Sequence, residues 1–151
     1  MAEKAQSDNV VELRARALRL LARREHSRAE LERKLGPHAG SAELVAGVVE
    51  ALAQRKQLSD ERYAEERARS LSRKYGAGRI RQDLKSKGVD AETIARISTE
   101  GELERARSIL ARKYREPATT REERAKRMRF LQGRGFSFDI IHSLLSSRDP
   151  D

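Results

Sequence analysis

The chain has no cysteine, no tryptophan, three prolines and six other aromatic residues in 151 positions. Without cysteine there can be no disulfide, no thiolate nucleophile and no cysteine-bound zinc. So few aromatics suit thin amphipathic helices better than one thick core, and they argue against a nucleic-acid surface built mainly on base stacking. No apolar run approaches the roughly 18 residues of a membrane span. The opening "MAEKAQSDNV" lacks the apolar stretch of a secretory signal. A soluble cytoplasmic protein with no membrane partner is expected. Catalytic signatures are equally scarce. Gly76-Ala77-Gly78 lacks the third glycine and the strand of a dinucleotide fingerprint, and no phosphate-binding G-x-x-x-x-G-K-[ST] loop occurs. His26, His38 and His142 stand without the ligand spacing of a metal helix. The acid pairs Asp60-Glu61, Glu65-Glu66 and Glu122-Glu123 suit first helical turns, where the macrodipole favours them. No catalytic, cofactor-binding or metal-binding residue is assigned, and no enzymatic activity is expected.

Charge is what the chain has in abundance. Charged residues make up 38% against 37% hydrophobic, and the formal net charge is +9. That composition suits many thin amphipathic helices and favours polyanions or acidic protein surfaces as partners. Apolar residues recur at three- and four-residue steps, as in Val11, Leu13, Ala17, Leu18, Leu20 and Leu21, and no comparable segment alternates with period two. Ser27 with Glu30 and Thr120 with Glu123 have capping-box spacing, and Ser41, Asp90 and Ser137 are further N-cap candidates. Glycine and proline breakers then delimit nine helices, near 10–24, 28–35, 42–55, 60–74, 78–87, 91–99, 102–115, 121–133 and 137–146.

The helices repeat. "LARRE" from Leu21, "LSRKY" from Leu71 and "LARKY" from Leu110 each close a first helix, and Leu35, Leu84 and Leu131 each end a second. The fold class is therefore all-α: three tandem three-helix, helix-turn-helix-like repeats stacked into an elongated, curved array. The expected layout is a disordered N-terminal tail over 1–9, then repeats at 10–57, 58–100 and 101–148. A single compact bundle with accidental similarity is the alternative. The aromatics, Tyr63, Tyr75, Tyr114, Phe130, Phe136 and Phe138, are expected as core anchors between short helices.

The basic charge is unevenly spread. Residues 62–87 hold nine Lys/Arg against three Asp/Glu and residues 102–135 hold eleven against five, whereas the first 61 are nearly balanced at eleven against ten. In "KYGAGRIRQDLKSKGV", Lys74 to Val89, Ile80 and Leu84 mark a buried stripe. Measured round the axis from Ile80, Arg81 and Lys85 fall at about 100° and about 140°, together on the exposed flank. Two aligned cations repel mildly, so an external anion would relieve them. Helix, tight turn and basic helix also match the geometry that addresses a phosphate backbone. Internal ion pairs with Asp83, Glu122 or Glu123 would remove some cations from that surface, and a Lys/Arg-rich face is commonly only solvated.

At these same residues the sequence resembles the RecX family, bacterial regulators of the RecA recombinase. The resemblance rests on Asp60, Arg62, Tyr63 and Ala64, then on Lys74, Tyr75, Gly76, Arg79, Ile80, Arg81, Asp83, Leu84, Lys87, Gly88 and Val89. "REHSRAELERKL" from Arg24 and the segments "RKY", "EP", "RFL" and "RGF" of the third repeat add to it, in the same order. Departures are a missing glycine between Lys74 and Tyr75, Asp83 in place of a usual glutamate, and Ser59 where an acid is common. A monomer that needs no cofactor is expected, and the resemblance implies a small non-enzymatic protein that lies in the groove of the RecA filament on DNA. It would inhibit the filament's ATPase, strand exchange and coprotease activities. Charge layout and resemblance together assign a filament- and DNA-facing surface to Arg73, Lys74, Arg79, Arg81, Lys85 and Lys87, with Arg124, Lys126, Arg127, Arg129 and Arg134. The contacts would go to phosphates of single-stranded DNA, with double-stranded DNA a further candidate. Two other readings stay open, an autonomous sequence-nonspecific DNA-binding protein and a helical interaction scaffold with no nucleic-acid role.

Overall fold

The computed structural model describes residues 1–146; residues 147 and 148, the end of the third expected repeat, lie outside the described residues. Among the described residues there are nine α-helices, one 3-10 turn and no strand. They are α1 (Ala2–Arg23), α2 (Arg28–Leu35), α3 (Ala42–Gln54), α4 (Asp60–Leu71), α5 (Ala77–Ser86), α6 (Ala91–Ala95), α7 (Glu102–Lys113), α8 (Arg121–Gly133) and α9 (Phe138–Ser146). All five expected caps form. The side chains of Ser27, Ser41, Asp90, Thr120 and Ser137 accept from the backbone N–H of Glu30, Leu44, Thr93, Glu123 and Ile140 respectively. Ser59 does the same for Arg62 at 3.1 Å and is a sixth. Each satisfies one of the orphan N–H groups of a first turn.

Two helix limits differ from expectation by more than three residues. The segment expected as a disordered tail is helical, since α1 begins at Ala2. "AEKAQ" consists of strong helix formers with no breaker, and Asn9 anchors the helix by bonding the carbonyl of His38 and the N–H of Gly40. At the other extreme α6 stops at Ala95 rather than 99. The Ser98 hydroxyl takes the Glu100 N–H at 3.2 Å, a local bond that competes with helix continuation.

Contacts group the chain into two compact units, and the grouping does not follow the repeats. Met1–Glu66 with Leu84–Arg96 form one, and Arg67–Asp83 with the described residues from Ile97 onward form the other. The first unit buries Leu13 and Ala17 of α1, Leu31 and Leu35 of α2, Val45, Val48, Val49 and Leu52 of α3, and Leu58. The second buries Ala106 and Ile109 of α7 against Leu131, Phe136 and Ile141. Among the aromatics, Tyr63 and Phe136 are buried as expected, but Phe138 is 67% exposed. Its ring stacks on His142 one turn along α9, at 5.7 Å between centroids, so it is held by its own helix and not by the core.

The first unit also buries three polar residues in a row of motif, His26, Ser27 and Glu30. The capping box is half formed. Ser27 caps Glu30 and donates to the Lys87 carbonyl at 3.0 Å, but the Glu30 carboxylate turns to the Arg24 guanidinium at 2.6 and 3.1 Å. That hydrogen bond holds the Glu30 carboxyl down to about 2 from a usual 4.5. The Nε2 of His26 lies 3.2 Å from Lys34 Nζ, and an ammonium only donates. His26 is therefore the Nδ1–H tautomer, donating to the Arg24 carbonyl at 3.1 Å. Burial pushes its pKa below 6.5.

Two outcomes are expected. Leu84 has no exposed surface, so Leu84→Asp should bury an unpaired charge and lower stability by roughly 3 to 5 kcal/mol in chemical denaturation; an unaltered unfolding curve would contradict its core position. Both His26 and Glu30 bind protons more readily unfolded than folded, so stability must fall as pH drops. The loss begins near pH 6.5 for His26 and runs from about 4.5 to about 2 for Glu30, where it amounts to roughly 2 to 3 kcal/mol after solvent screening of half-exposed Arg24. Glu30→Gln should flatten the stability profile between pH 4.5 and 2, and an unflattened profile would place the acid sensitivity elsewhere.

Candidate nucleic-acid interface

The segment that carries the expected basic motif begins with a backbone contact. In the second unit the turn between α4 and α5 lies directly on the turn between α8 and α9. Gly76 N–H donates to the Arg134 carbonyl at 2.7 Å, and Gly78 N–H to the Gly135 carbonyl at 3.0 Å. Side chains do not fit there. A Cβ on Gly76 would stand 2.6 Å from the Phe136 ring and 2.8 Å from the Gly135 backbone. Gly135 has φ +93°, and a Cβ on it would stand 2.5 Å from the Arg79 backbone N and Cβ. A left-handed residue in so close an approach must be glycine. Glu102 completes the joint by accepting from the Ala77 N–H.

Arginines hold the same joint from its flanks. Arg79 donates to the Gly133 carbonyl at 2.8 Å and lies 4.6 Å over the Tyr75 ring. Arg134 donates to the Lys74 carbonyl at 3.1 Å and lies near both Tyr75 and Phe130. Arg127 donates to the Glu116 carbonyl at 2.7 Å and covers Tyr114 at 4.5 Å. These three expected surface residues thus have structural partners, worth about 0.5 to 2 kcal/mol for each cation–π contact alone. Three half-buried aromatics expected as core, Tyr75, Tyr114 and Phe130, are platforms for cations. Arg112, which the sequence reading passed over, also belongs here: it donates to the Arg73 carbonyl at 2.7 Å. Its place in "LARKY", the first-helix ending repeated three times, was the available signal.

The other expected residues present free charge. Arg73 and Lys74 in the turn, Arg81 and Lys85 one turn apart on α5, and Arg124, Lys126 and Arg129 on α8 are exposed. Their side chains make no hydrogen bond or ion pair among the described residues. On α8, Lys126 and Arg129 fall about 60° apart at about 100° per residue and share a flank, whereas Arg124 points elsewhere. Lys87 is half-buried, with its carbonyl taken by Ser27. Of the three acids expected to neutralise some of these cations, two are engaged otherwise and Glu122 forms no ion pair among the described residues. Asp83 pairs with Arg67 through two bonds at 2.9 and 3.0 Å, and Glu123 accepts from the N–H and hydroxyl of Thr119. Arg81 and Lys85 are left facing solvent together, which is the arrangement a row of phosphates neutralises.

No group of three or more histidines and acids able to hold a metal exists among the described residues, and no described helix is long and apolar enough to cross a membrane. Fold and charge together define a class, a tandem three-helix-repeat protein with cationic helix faces. Comparison with known proteins identifies the family within that class. Models of the first, second and third three-helix domains of RecX match residues 14–52, 59–96 and 100–145. The regulatory protein RecX of Leptothrix cholodnii is 42% identical over 144 residues, which span 92% of this chain and 90% of that protein. That of Herbaspirillum seropedicae is 43% identical over 134 residues, 87% of each. The crystal structure of RecX from Lactobacillus salivarius superposes with a TM-score of 0.82 at 23% identity, covering 92% of this chain and 96% of that one. The chain belongs to the RecX family of regulatory proteins.

The joint makes a sharp demand on glycine. Gly135→Ala should combine left-handed strain with a clash against Arg79 and cost about 2 kcal/mol or more, read as a lower melting temperature. Gly133→Ala is the control, since a Cβ there meets nothing within 4 Å. Equal melting of the two variants would show that the joint tolerates a side chain.

Proposed function

We propose that this protein is a negative modulator of the RecA recombinase. It binds as a monomer in the groove of the filament on DNA and inhibits ATPase, strand exchange and coprotease activities. The observation that carries the reading is the pair Arg81 and Lys85, exposed, one turn apart and without an internal counter-ion among the described residues. Family membership supports the recombinase as partner, and the free cations of α5 and α8 support contact with DNA phosphate. Of the eleven assigned residues, the seven with free exposed side chains, Arg73, Lys74, Arg81, Lys85, Arg124, Lys126 and Arg129, are proposed to meet the filament and its DNA directly. Arg79, Arg127 and Arg134 would act by fixing the turns that present them, and Lys87 would contribute from its half-buried position. Regulation follows from thermodynamics: a ligand that prefers a less active or faster-dissociating filament shifts the population toward it. The protein needs no cofactor for this, performs no catalysis of its own and acts in the cytoplasm with the recombinase.

Arg81→Ala with Lys85→Ala tests the reading. The double variant should inhibit the recombinase ATPase less, with nearly unchanged thermal stability because exposed charges contribute little to folding. The slope of log K against log salt for single-stranded DNA should fall by about 0.7 per lost phosphate contact, whatever the base sequence. Undiminished inhibition with an unaltered slope would make the flank a merely solvated face. DNA binding indifferent to the recombinase and its nucleotide would instead favour an autonomous DNA-binding protein.

A further inference from the structure

The second unit contains an open cleft of about 520 Å³ that is distinct from the outward flanks of α5 and α8. Five cations line it, Arg73, Lys74, Arg112, Lys113 and Arg134, and no acid does. Its floor is Tyr75, Ile109 and Phe130. Elsewhere in the same unit arginines have acidic partners: Arg67 pairs with Asp83, Arg105 with Glu102 and Arg107 with Glu104. None of the five cleft cations has a carboxylate within ion-pair distance among the described residues. Like charges gathered in one concavity raise its potential and attract an anion of complementary shape.

The cleft is also held ready. Arg112 and Arg134 are tethered to the carbonyls of Arg73 and Lys74, at 2.7 and 3.1 Å. Lys113 lies 5.5 Å and Arg134 5.0 Å from the centre of the Phe130 ring. Each tether spends one N–H of a guanidinium that has five, so donors remain for a ligand. Positions fixed beforehand lower the entropy lost on binding.

Two kinds of anion have to be weighed. Single-stranded nucleic acid would set phosphates on the cations and stack bases on the rings. Here the rings are already engaged: Tyr75 by Arg79 and Arg134, Phe130 by Arg134, Lys113 and the edge of Tyr114. A base would have to displace a guanidinium to stack. Carboxylates need only the cationic rim, and an aliphatic or phenyl side chain can rest on Ile109 and the ring edges without evicting anything.

We propose that this cleft docks an acidic protein segment that carries an apolar side chain, the carboxylates meeting Arg73, Lys74, Arg112, Lys113 and Arg134 and the apolar group meeting Tyr75, Ile109 and Phe130. This goes beyond the recombinase reading, because it gives the second unit a protein-binding site that shares Arg73 and Lys74 with the proposed filament surface but not the cations on the flanks of α5 and α8.

The experiment uses the full-length protein alone, without recombinase or DNA, so its result is independent of the reading above. A fluorescein-labelled peptide Asp-Glu-Asp-Leu-Phe-Asp-Glu is titrated by anisotropy, beside a counterpart with Ser-Ser in place of Leu-Phe. The Leu-Phe peptide should bind saturably and the Ser-Ser peptide about tenfold more weakly. Lys113→Glu should weaken the Leu-Phe peptide by about tenfold or more through charge reversal, and Lys113→Gln by less, with circular dichroism melts confirming that both fold. Arg81→Ala with Lys85→Ala should leave peptide binding unchanged. The proposal is overturned if the peptide does not bind saturably, if the Ser-Ser peptide binds equally well, or if both Lys113 variants leave peptide affinity intact. An oligothymidylate whose binding is lost with Lys113→Glu, while peptide binding is not, would assign the cleft to nucleic acid.

Discussion

The second unit depends on two backbone hydrogen bonds between turns, Gly76 N–H to Arg134 and Gly78 N–H to Gly135. Helices of ten to thirteen residues cannot bury enough surface alone, so α5, α7 and α8 need neighbours at fixed distance. Direct contact of main chain with main chain sets that distance more tightly than side-chain packing could. Everything near it is arranged accordingly: Phe136 fills the space beside Gly76, Glu102 satisfies the Ala77 N–H, and Arg79 and Arg134 close the flanks over Tyr75.

The joint changes what the basic composition means. A chain with 33 lysines and arginines has far more cations than acids to pair them, yet the cations are not equivalent. Some are spent on carbonyls and rings, where a planar guanidinium with directional donors is required and lysine would not substitute. Others on α5 and α8 have no internal duty among the described residues. A motif arginine such as Arg79 is therefore explained by architecture, whereas neighbouring Arg81, two residues along the same helix, is not.

The helical fold, the caps and the three repeats were legible because each leaves a local mark: period, hydroxyl or acid before a helix, leucine at a constant interval. Asn9 left none, since its partners His38 and Gly40 lie some thirty residues away, and so α1 was expected to start too late. The extent of α6 depended on one serine bonding its own backbone. Within the candidate site, composition located the basic segments but could not separate free cations from engaged ones. Partners such as the Gly133 and Lys74 carbonyls are backbone atoms, which every residue possesses and no sequence pattern marks. Phe138 was misplaced for a related reason: an aromatic's default is burial, and its stacking on His142 is visible only in three dimensions.

The grouping of contacts into two units for three repeats bears on how the molecule comes apart. Helix α4 gives its first residues to one unit and its last to the other, and α5 does so in reverse. Severing the chain between repeats would therefore strip the Ser27–Lys87 bond from the first repeat and the Gly76–Arg134 bond from the third, while each keeps most of its own buried cluster. The buried residues of the middle repeat are divided in the same way, Tyr63, Ala64, Leu84 and Val89 falling in the first unit and Ile80 in the second. Removing the middle repeat would take residues from both units at once.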